Sequence, residues 1–366
     1  MSRFSWRSAG KLGALVFCCA LCVGCGGSSN NNKRIVFLIN TEDPFWSACH
    51  AGLDEGAKQF DIAKSGLEVS WQVNDGTAPG QIEKLRQFGT QSDVAAVAIS
   101  VIQADNEAIA TEMKKLRDKG IKVITVDGDI NTTKFPDARS YYIGTNNKVA
   151  GGVLGQCVKT LLEHRNVKTG GYVQFAGFKD NDNARQRMDG VKDALGADYS
   201  EIDRMPDQTD KVKARENVRT AIANHCDNLV ALIGIWAYNA PAIAEVVDQS
   251  KLHDKVLVGT FDAQAAAITA LEEGKIDVMV VQNPFEMGVQ TVRLLKGMVA
   301  KDDATIKEMF PNPDDPAGKT FTTGLRVVVP DADSPIKADQ LDAKVVEFMP
   351  LSKFKEWLKK NNLKSS

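Results

Sequence analysis

The residues of this chain best suited to chemistry are carboxylates, amides, one guanidinium and flat aromatic rings, and they gather behind short apolar runs. Asn40, Thr41, Glu42, Asp43, Pro44, Phe45 and Trp46 follow the run 35–39, and Asp127, Gly128 and Asp129 follow 122–126. Gly177, Asn181, Asn183 and Arg185 follow 172–175, while Trp236, Tyr238 and Asn239 follow 229–233. Phe261 and Asp262 follow 256–259, and Gln282 and Asn283 follow 278–281. Planar polar side chains hydrogen-bond in pairs, which suits neighbouring hydroxyl groups. Aromatic faces suit the apolar C–H faces of a ring, and Phe45, Trp46 and Trp236 could sandwich one. Any one such residue is more often a turn former or a helix cap. Their recurrence behind most of the runs points instead to recognition of a carbohydrate.

The elements that must position these residues are legible in the same pattern. The runs 35–39, 69–73, 94–99, 122–126, 141–144, 172–175, 229–233, 256–259 and 278–282 are short and apolar throughout. Strands buried on both faces of a parallel sheet read in this way. Between them lie amphipathic helical stripes at 44–60, 81–90, 106–119, 148–164, 184–195, 212–224, 241–249, 263–272 and 284–299. Strict β-α alternation predicts a doubly wound α/β fold, and the strands are too many for one comfortable sheet, so two Rossmann-like lobes are expected. Ligands of such sheets sit outside the carboxyl ends of the strands, where the polar residues lie. Residues 302–320, with Pro311, Pro313 and Pro316, read as a surface loop, and 330–342 as another. The run 325–329, a strand at 345–349 and a helix at 351–360 complete the chain. Gly151-Gly152-Val153-Leu154-Gly155 lies inside a helical stripe, so it predicts close helix packing rather than a dinucleotide turn.

The start of the chain predicts where the domain resides. Arg3, Arg7 and Lys11 precede an apolar run at 12–23, followed by Gly24, Cys25 and a polar stretch. A basic start, a short apolar core and small residues before a cut site make a secretory signal. About twelve residues are too few for a spanning helix, which needs roughly twenty. Leu21-Cys22-Val23-Gly24-Cys25 resembles a bacterial lipobox, implying that Cys25 is the lipidated first residue of a mature protein tethered to a membrane. About 340 residues remain beyond it, enough for two domains with ample cores.

A net charge of −2 gives no reason to expect nucleic acid. Cys49, Cys157 and Cys226 are odd in number and far apart, which predicts buried thiols rather than a disulfide framework. His50, His164, His225 and His253 are scattered at no metal-ligand spacing. No nucleophile elbow or P-loop occurs, and Asp127 with Asp129 alone does not make a glycosidase pair. No catalytic residue, metal or cofactor is expected.

Five segments, in order, resemble the ribose-type periplasmic sugar-binding proteins, the type I solute-binding fold. They are Asp43-Pro44-Phe45-Trp46, Ile124-Thr125-Val126-Asp127, the run Asn183-Ala184-Arg185-Gln186-Arg187-Met188-Asp189-Gly190, Val258-Gly259-Thr260-Phe261-Asp262, and Val281-Gln282-Asn283-Pro284. The resemblance spans roughly 34–329. It implies two α/β lobes joined by a three-crossing hinge, a sugar in the cleft, and lobe closure around it. It implies ligand-binding roles for Asp43, Phe45, Trp46, Asp127, Arg185, Trp236, Asp262 and Gln282, with Asn181, Asn183 and Asn239 secondary. Trp236 stands near a position where members often carry Asn, Gly128 where ribose-type members carry a second charged ligand, and Thr209 near an aromatic position. These departures imply a ligand other than ribose, or a larger one that uses Trp236.

The expected organisation is a signal at 1–24, a tether at 25–33, a first lobe of 34–138 plus 284–322, a second of 139–283 plus 323–330, and an extension at 331–366. The expected function is a monomeric, lipid-anchored receptor in the cell envelope that passes a pentose or hexose to the permease of an ABC importer. Alternatives of the same fold are a sugar-sensing module for a chemoreceptor or sensor kinase, and a receptor for a non-sugar ligand such as a nucleoside.

Overall fold

The computed structural model describes residues 32–179, 181–332 and 334–366. The expected signal, Cys25 and most of the tether lie outside them. The chain begins with β1 (Lys33–Ile39), α1 (Pro44–Gln59), β2 (Leu67–Val73), α2 (Ala78–Phe88), β3 (Val94–Ile99), α3 (Glu107–Asp118), β4 (Lys122–Val126) and β5 (Tyr142–Gly144). It continues with α4 (Asn147–His164), β6 (Gly170–Ala176), α5 (Asp182–Leu195), β7 (Tyr199–Pro206), α6 (Lys211–His225), β8 (Leu229–Gly234), α7 (Asn239–Gln249), β9 (Leu257–Phe261), α8 (Ala265–Glu272) and β10 (Val278–Val281). There follow α9 (Pro284–Ala300), α10 (Asp303–Met309) and β11 (Thr320–Thr322), and finally β12 (Leu325–Val329), β13 (Val346–Pro350) and α11 (Leu351–Lys360).

Two sheets result, as the alternation demands. The first is ordered β11-β5-β4-β3-β1-β2 and the second β13-β12-β10-β9-β8-β6-β7. Every pair in the first is parallel, and in the second only β10–β12 is antiparallel. Each contains the same doubly wound core, in which the first strand lies between the second and the third. That reversal is the topological switch point, where the strand ends open a crevice. Side chains alternate across each strand, so each sheet has two apolar faces. Ile35, Phe37 and Ile39 pack with Leu53, Met287 and Leu295 on one face of the first sheet, while Val36 and Leu38 pack with Leu85, Ile109 and Met113 on the other. In the second sheet, Tyr172 faces Leu154 and Met188, and Val173 faces Val218, Ile243 and Phe354.

The lobes differ from the expected boundaries in ways the packing explains. The strand β5 pairs with β4 and β11 in the first sheet, so the chain leaves that lobe at 145–146, not at 138. It returns at 282–283 and crosses again at 323–324. The 331–366 segment is part of the second lobe: β13 extends its sheet, and Phe354 and Leu358 enter its core. The edge strand β7 was missed because one face is solvated, so Glu201, Asp203 and Arg204 interrupt its apolar pattern. Residues 303–309, expected as loop, form α10, capped by Asp302. Cys49 and Cys157 are buried free thiols, but Cys226 is exposed, because it lies at the outer C-terminal end of α6.

Small residues bring two helix pairs unusually close. A Cβ at Gly151 of α4 would overlap the Arg187 carbonyl of α5, and one at Gly52 of α1 would overlap the Phe285 carbonyl of α9. The glycine-rich stretch in α4 is thus a helix-packing device.

Candidate functional site

The carboxyl ends of the two sheets face one another. Across the gap, the Gln264 amide behind β9 donates to Asp43 Oδ2 at 3.5 Å, and the Gln282 amide behind β10 donates to Asp127 Oδ1 at 3.2 Å. The residues at these ends adopt uncommon backbone. Asp127 behind β4 has φ +61° and Asp262 behind β9 has φ +59°, with Gln208 and Thr209 behind β7 at +59° and +64°. Left-handed backbone at non-glycine residues costs about 1 kcal/mol or more each, and such strain clusters at functional sites.

Arg187 is the hub. Only 2% exposed, it donates from Nη2 to Gln282 Oε1 at 2.6 Å, from Nε to Asn147 Oδ1 at 2.9 Å and from Nη1 to the Ile235 carbonyl at 3.2 Å. Its guanidinium lies 4.6 Å from the centre of the Phe261 ring and 3.9 Å from Asp262 Oδ2. Gln282 also donates to Thr145 Oγ1 at 2.8 Å, which ties two hinge crossings together. The Gln282 backbone N–H donates to Asp262 Oδ1 at 3.2 Å.

Burial dominates the electrostatics here. It pushes the Asp262 carboxyl up to about 6; Arg187 opposes the rise, and the charges of Asp127 and Asp43 add to it. Burial likewise raises Asp127 above the ordinary range, against the pull of Arg187 and the Gln282 hydrogen bond. The two carboxylates therefore share one guanidinium in a place where ionisation is costly.

Of the residues expected from sequence, Asp127, Asp262 and Gln282 converge on Arg187. Asp43 stands opposite Gln264 and also caps α1, its Oδ1 accepting from the Phe45 N–H at 3.0 Å. Trp46 is buried and meets Phe45 edge-on, ring centres 5.0 Å apart, so Trp46 is largely part of the core and Phe45 is the more open of the pair. Trp236 forms an aromatic wall with Phe178 and Tyr238, its indole N–H donating to Asn183 Oδ1 at 3.1 Å. Asn181 caps α5. Asn239 is fully committed, donating to Asp207 Oδ2 at 2.8 Å and accepting from the Trp236 backbone N–H. Asp207, itself buried, also accepts from the Tyr238 hydroxyl and the Thr209 N–H.

Arg185 does not join the cluster. Its side chain is 57% exposed and paired with Asp182. The buried stripe of α5 runs through Ala184, Arg187, Met188, Val191 and Leu195. Two residues of helix rotate a side chain by about 200°, so Arg185 and Arg187 face opposite ways. The missed signal was that stripe: Arg187 stands on it beside Met188. Gln264, Asn147, Asp207 and the exposed Phe178 were also missed, since each acts through a partner far away in sequence. At Gly128 a Cβ would press on the Val101 carbonyl and the Ser100 hydroxyl, so this position carries no side-chain ligand.

Among the described residues no group of His, Cys, Asp and Glu could hold a metal ion, and no helix is long and apolar enough to cross a membrane. Residues 35–303 match the family model described as a periplasmic binding protein domain. The D-allose-binding periplasmic protein of Escherichia coli (strain K12) is 20% identical over 264 residues, 71% of this chain and 82% of that protein. A putative rhizopine-binding protein of Rhizobium meliloti is 24% identical over 254 residues, 68% and 78% of the two chains. An ABC transporter solute binding protein of Burkholderia graminis C4D1M, solved in complex with D-arabinose, matches with a TM-score of 0.67 at 24% identity, covering 82% of this chain and 96% of that one.

Proposed function

Since the chain belongs to the periplasmic binding protein family, we propose that it is a lipid-anchored receptor outside the cytoplasm that captures a monosaccharide, a pentose or a hexose, and delivers it to an ABC importer. The observation that carries this reading is the convergence of Asp127, Asp262, Gln282 and Arg187 at the facing strand ends. These groups offer paired donors and acceptors to hydroxyls, and Phe45 and Trp236 offer ring faces. A ligand touching both lobes stabilises the closed arrangement, and the permease recognises that state. Cys25 holds the receptor at the membrane through its lipid.

The test is a thermal-shift and calorimetric screen of the full chain against pentoses, hexoses, sugar alcohols and nucleosides. A ligand present at a hundred times its Kd adds about 2.7 kcal/mol of stability. Arg187→Met, which keeps most of the buried volume, removes the shift for the binding sugar, whereas Arg185→Ala retains it. Loss in Arg185→Ala with retention in Arg187→Met sinks the site. A screen in which only nucleosides bind replaces the sugar.

A further inference from the structure

We infer that the segment 361–366 is a positioning element of the cleft, with Ser366 holding the backbone of Gln282 and of the residue behind Asp262 where a ligand meets them; the inference rests on the receptor reading above. The match to the family model ends at residue 303, so this segment lies in the part of the chain beyond it. Its course follows from the way α11 ends. Asn362 has left-handed backbone, φ +54°, and its N–H donates to the Lys359 carbonyl at 3.1 Å, while the Leu363 N–H donates to the Leu358 carbonyl at 2.8 Å. Those two bonds are a Schellman ending, which stops a helix and turns the chain back. Leu363 packs against the second-lobe core that contains Leu358, and Lys355 ties the same helix to Glu272 of α8 at 2.6 Å.

The chain therefore arrives at the carboxyl ends of β9 and β10. Ser366 is 2% exposed there, although Lys364 just before it is exposed. Polar backbone enters such a place only when its groups are paired. The Ser366 N–H donates to the Ala263 carbonyl at 3.1 Å, and the Ala263 N–H donates to the Ser366 carbonyl at 2.8 Å. The Ser366 hydroxyl donates to the Gln282 carbonyl at 3.4 Å. Ala263 stands between Asp262 and Gln264, whose amide reaches Asp43 of the first lobe. Gln282 carries the side chain that engages Arg187, Asp127 and Thr145. One residue thus holds the backbone beside three groups of the cleft. A site keeps its geometry to about 0.5 Å only when the groups behind it are themselves fixed.

The experiment is calorimetry with D-arabinose, D-ribose, D-xylose, D-allose, D-glucose and D-galactose on the full chain, on Ser366→Ala, on Ser366→Thr and on a form lacking Ser365 and Ser366. The shortened form loses three hydrogen bonds and is expected to bind its sugar about tenfold or more weakly. Ser366→Ala loses one and is expected to bind about threefold more weakly, whereas Ser366→Thr keeps the hydroxyl and the affinity. Amide exchange of the ligand-free proteins separates positioning from general loosening. It should quicken at 278–284 in the shortened form and stay unchanged at 94–99 in the first lobe. Wild-type affinity in the shortened form overturns the positioning role and leaves the receptor reading standing. So does equal affinity in Ser366→Ala and Ser366→Thr, or exchange that quickens alike in both segments. Binding of no sugar by the full chain overturns the receptor reading, and the positioning role with it.

Discussion

Asp262 places one oxygen on the Gln282 N–H and its other near Arg187, in a strand-end position with left-handed backbone and little solvent. Its carboxyl is raised to about 6, whereas an unfolded Asp titrates near 3.9. Between those values the native state holds the proton more tightly than the unfolded chain. Stability therefore falls as pH rises through the window from about 4 to about 6, by on the order of 3 kcal/mol, and stays lower above it. Asparagine still accepts from the Gln282 N–H but never ionises. Asp262→Asn is expected to melt higher than the wild type in ligand-free form at neutral pH, with the difference vanishing below about pH 4. Parallel melting profiles of the two proteins across that range would refute the assignment.

The element that sets Arg187 is the α4–α5 pair. Gly151 and Gly155 let the α5 backbone approach until the Arg187 carbonyl lies over α4, and Asn147 in the first turn of α4 fixes the guanidinium. Gly151→Val is expected to destabilise the fold by about 1–3 kcal/mol through overpacking and to weaken sugar binding as well, because it displaces the hub. Gly56→Val, at the α1–α9 contact remote from Arg187, serves as the comparison. It should lower the melting temperature and spare affinity at temperatures where it is folded. Sugar binding by Gly151→Val equal to that of Gly56→Val would show that the helix contact does not position the site.

At the scale of the whole molecule, the two lobes meet through few direct bonds among the described residues. Besides the Gln264–Asp43 and Gln282–Asp127 contacts, Trp357 of α11 lies 3.9 Å over Arg326 of its own lobe and 6.3 Å edge-on from Phe285 of the other. The last helix therefore braces the hinge side while the polar bonds span the cleft. One hydrogen bond is worth about 1 kcal/mol, which is roughly a fivefold change in a two-state population. Gln264→Ala is expected to shift the ligand-free ensemble toward the open state, seen as a larger radius of gyration by small-angle scattering. A saturating ligand should return it to the wild-type closed value. An unchanged radius in the free variant would remove Gln264 from the closure equilibrium.

Much of this molecule can be read along the chain. Apolar runs and amphipathic stripes have short-range causes, so the alternation of strands and helices, the doubly wound class and the strand-end location of Asp127, Asp262 and Gln282 were determined by the sequence itself. The edge strand β7 and the helix α10 escaped, because solvent on one face of the strand and prolines around the helix blur the pattern. Choosing between Arg185 and Arg187 needed the tertiary structure, since the two share a motif and only the packing of α5 on α4 decides which one is buried. Likewise, the pairing of Gln282 with Asp127, residues 155 positions apart, arises from the chain crossing between lobes. Local propensity carries no record of that crossing, and the three-dimensional meeting of the two sheets is what turns scattered polar residues into one cluster.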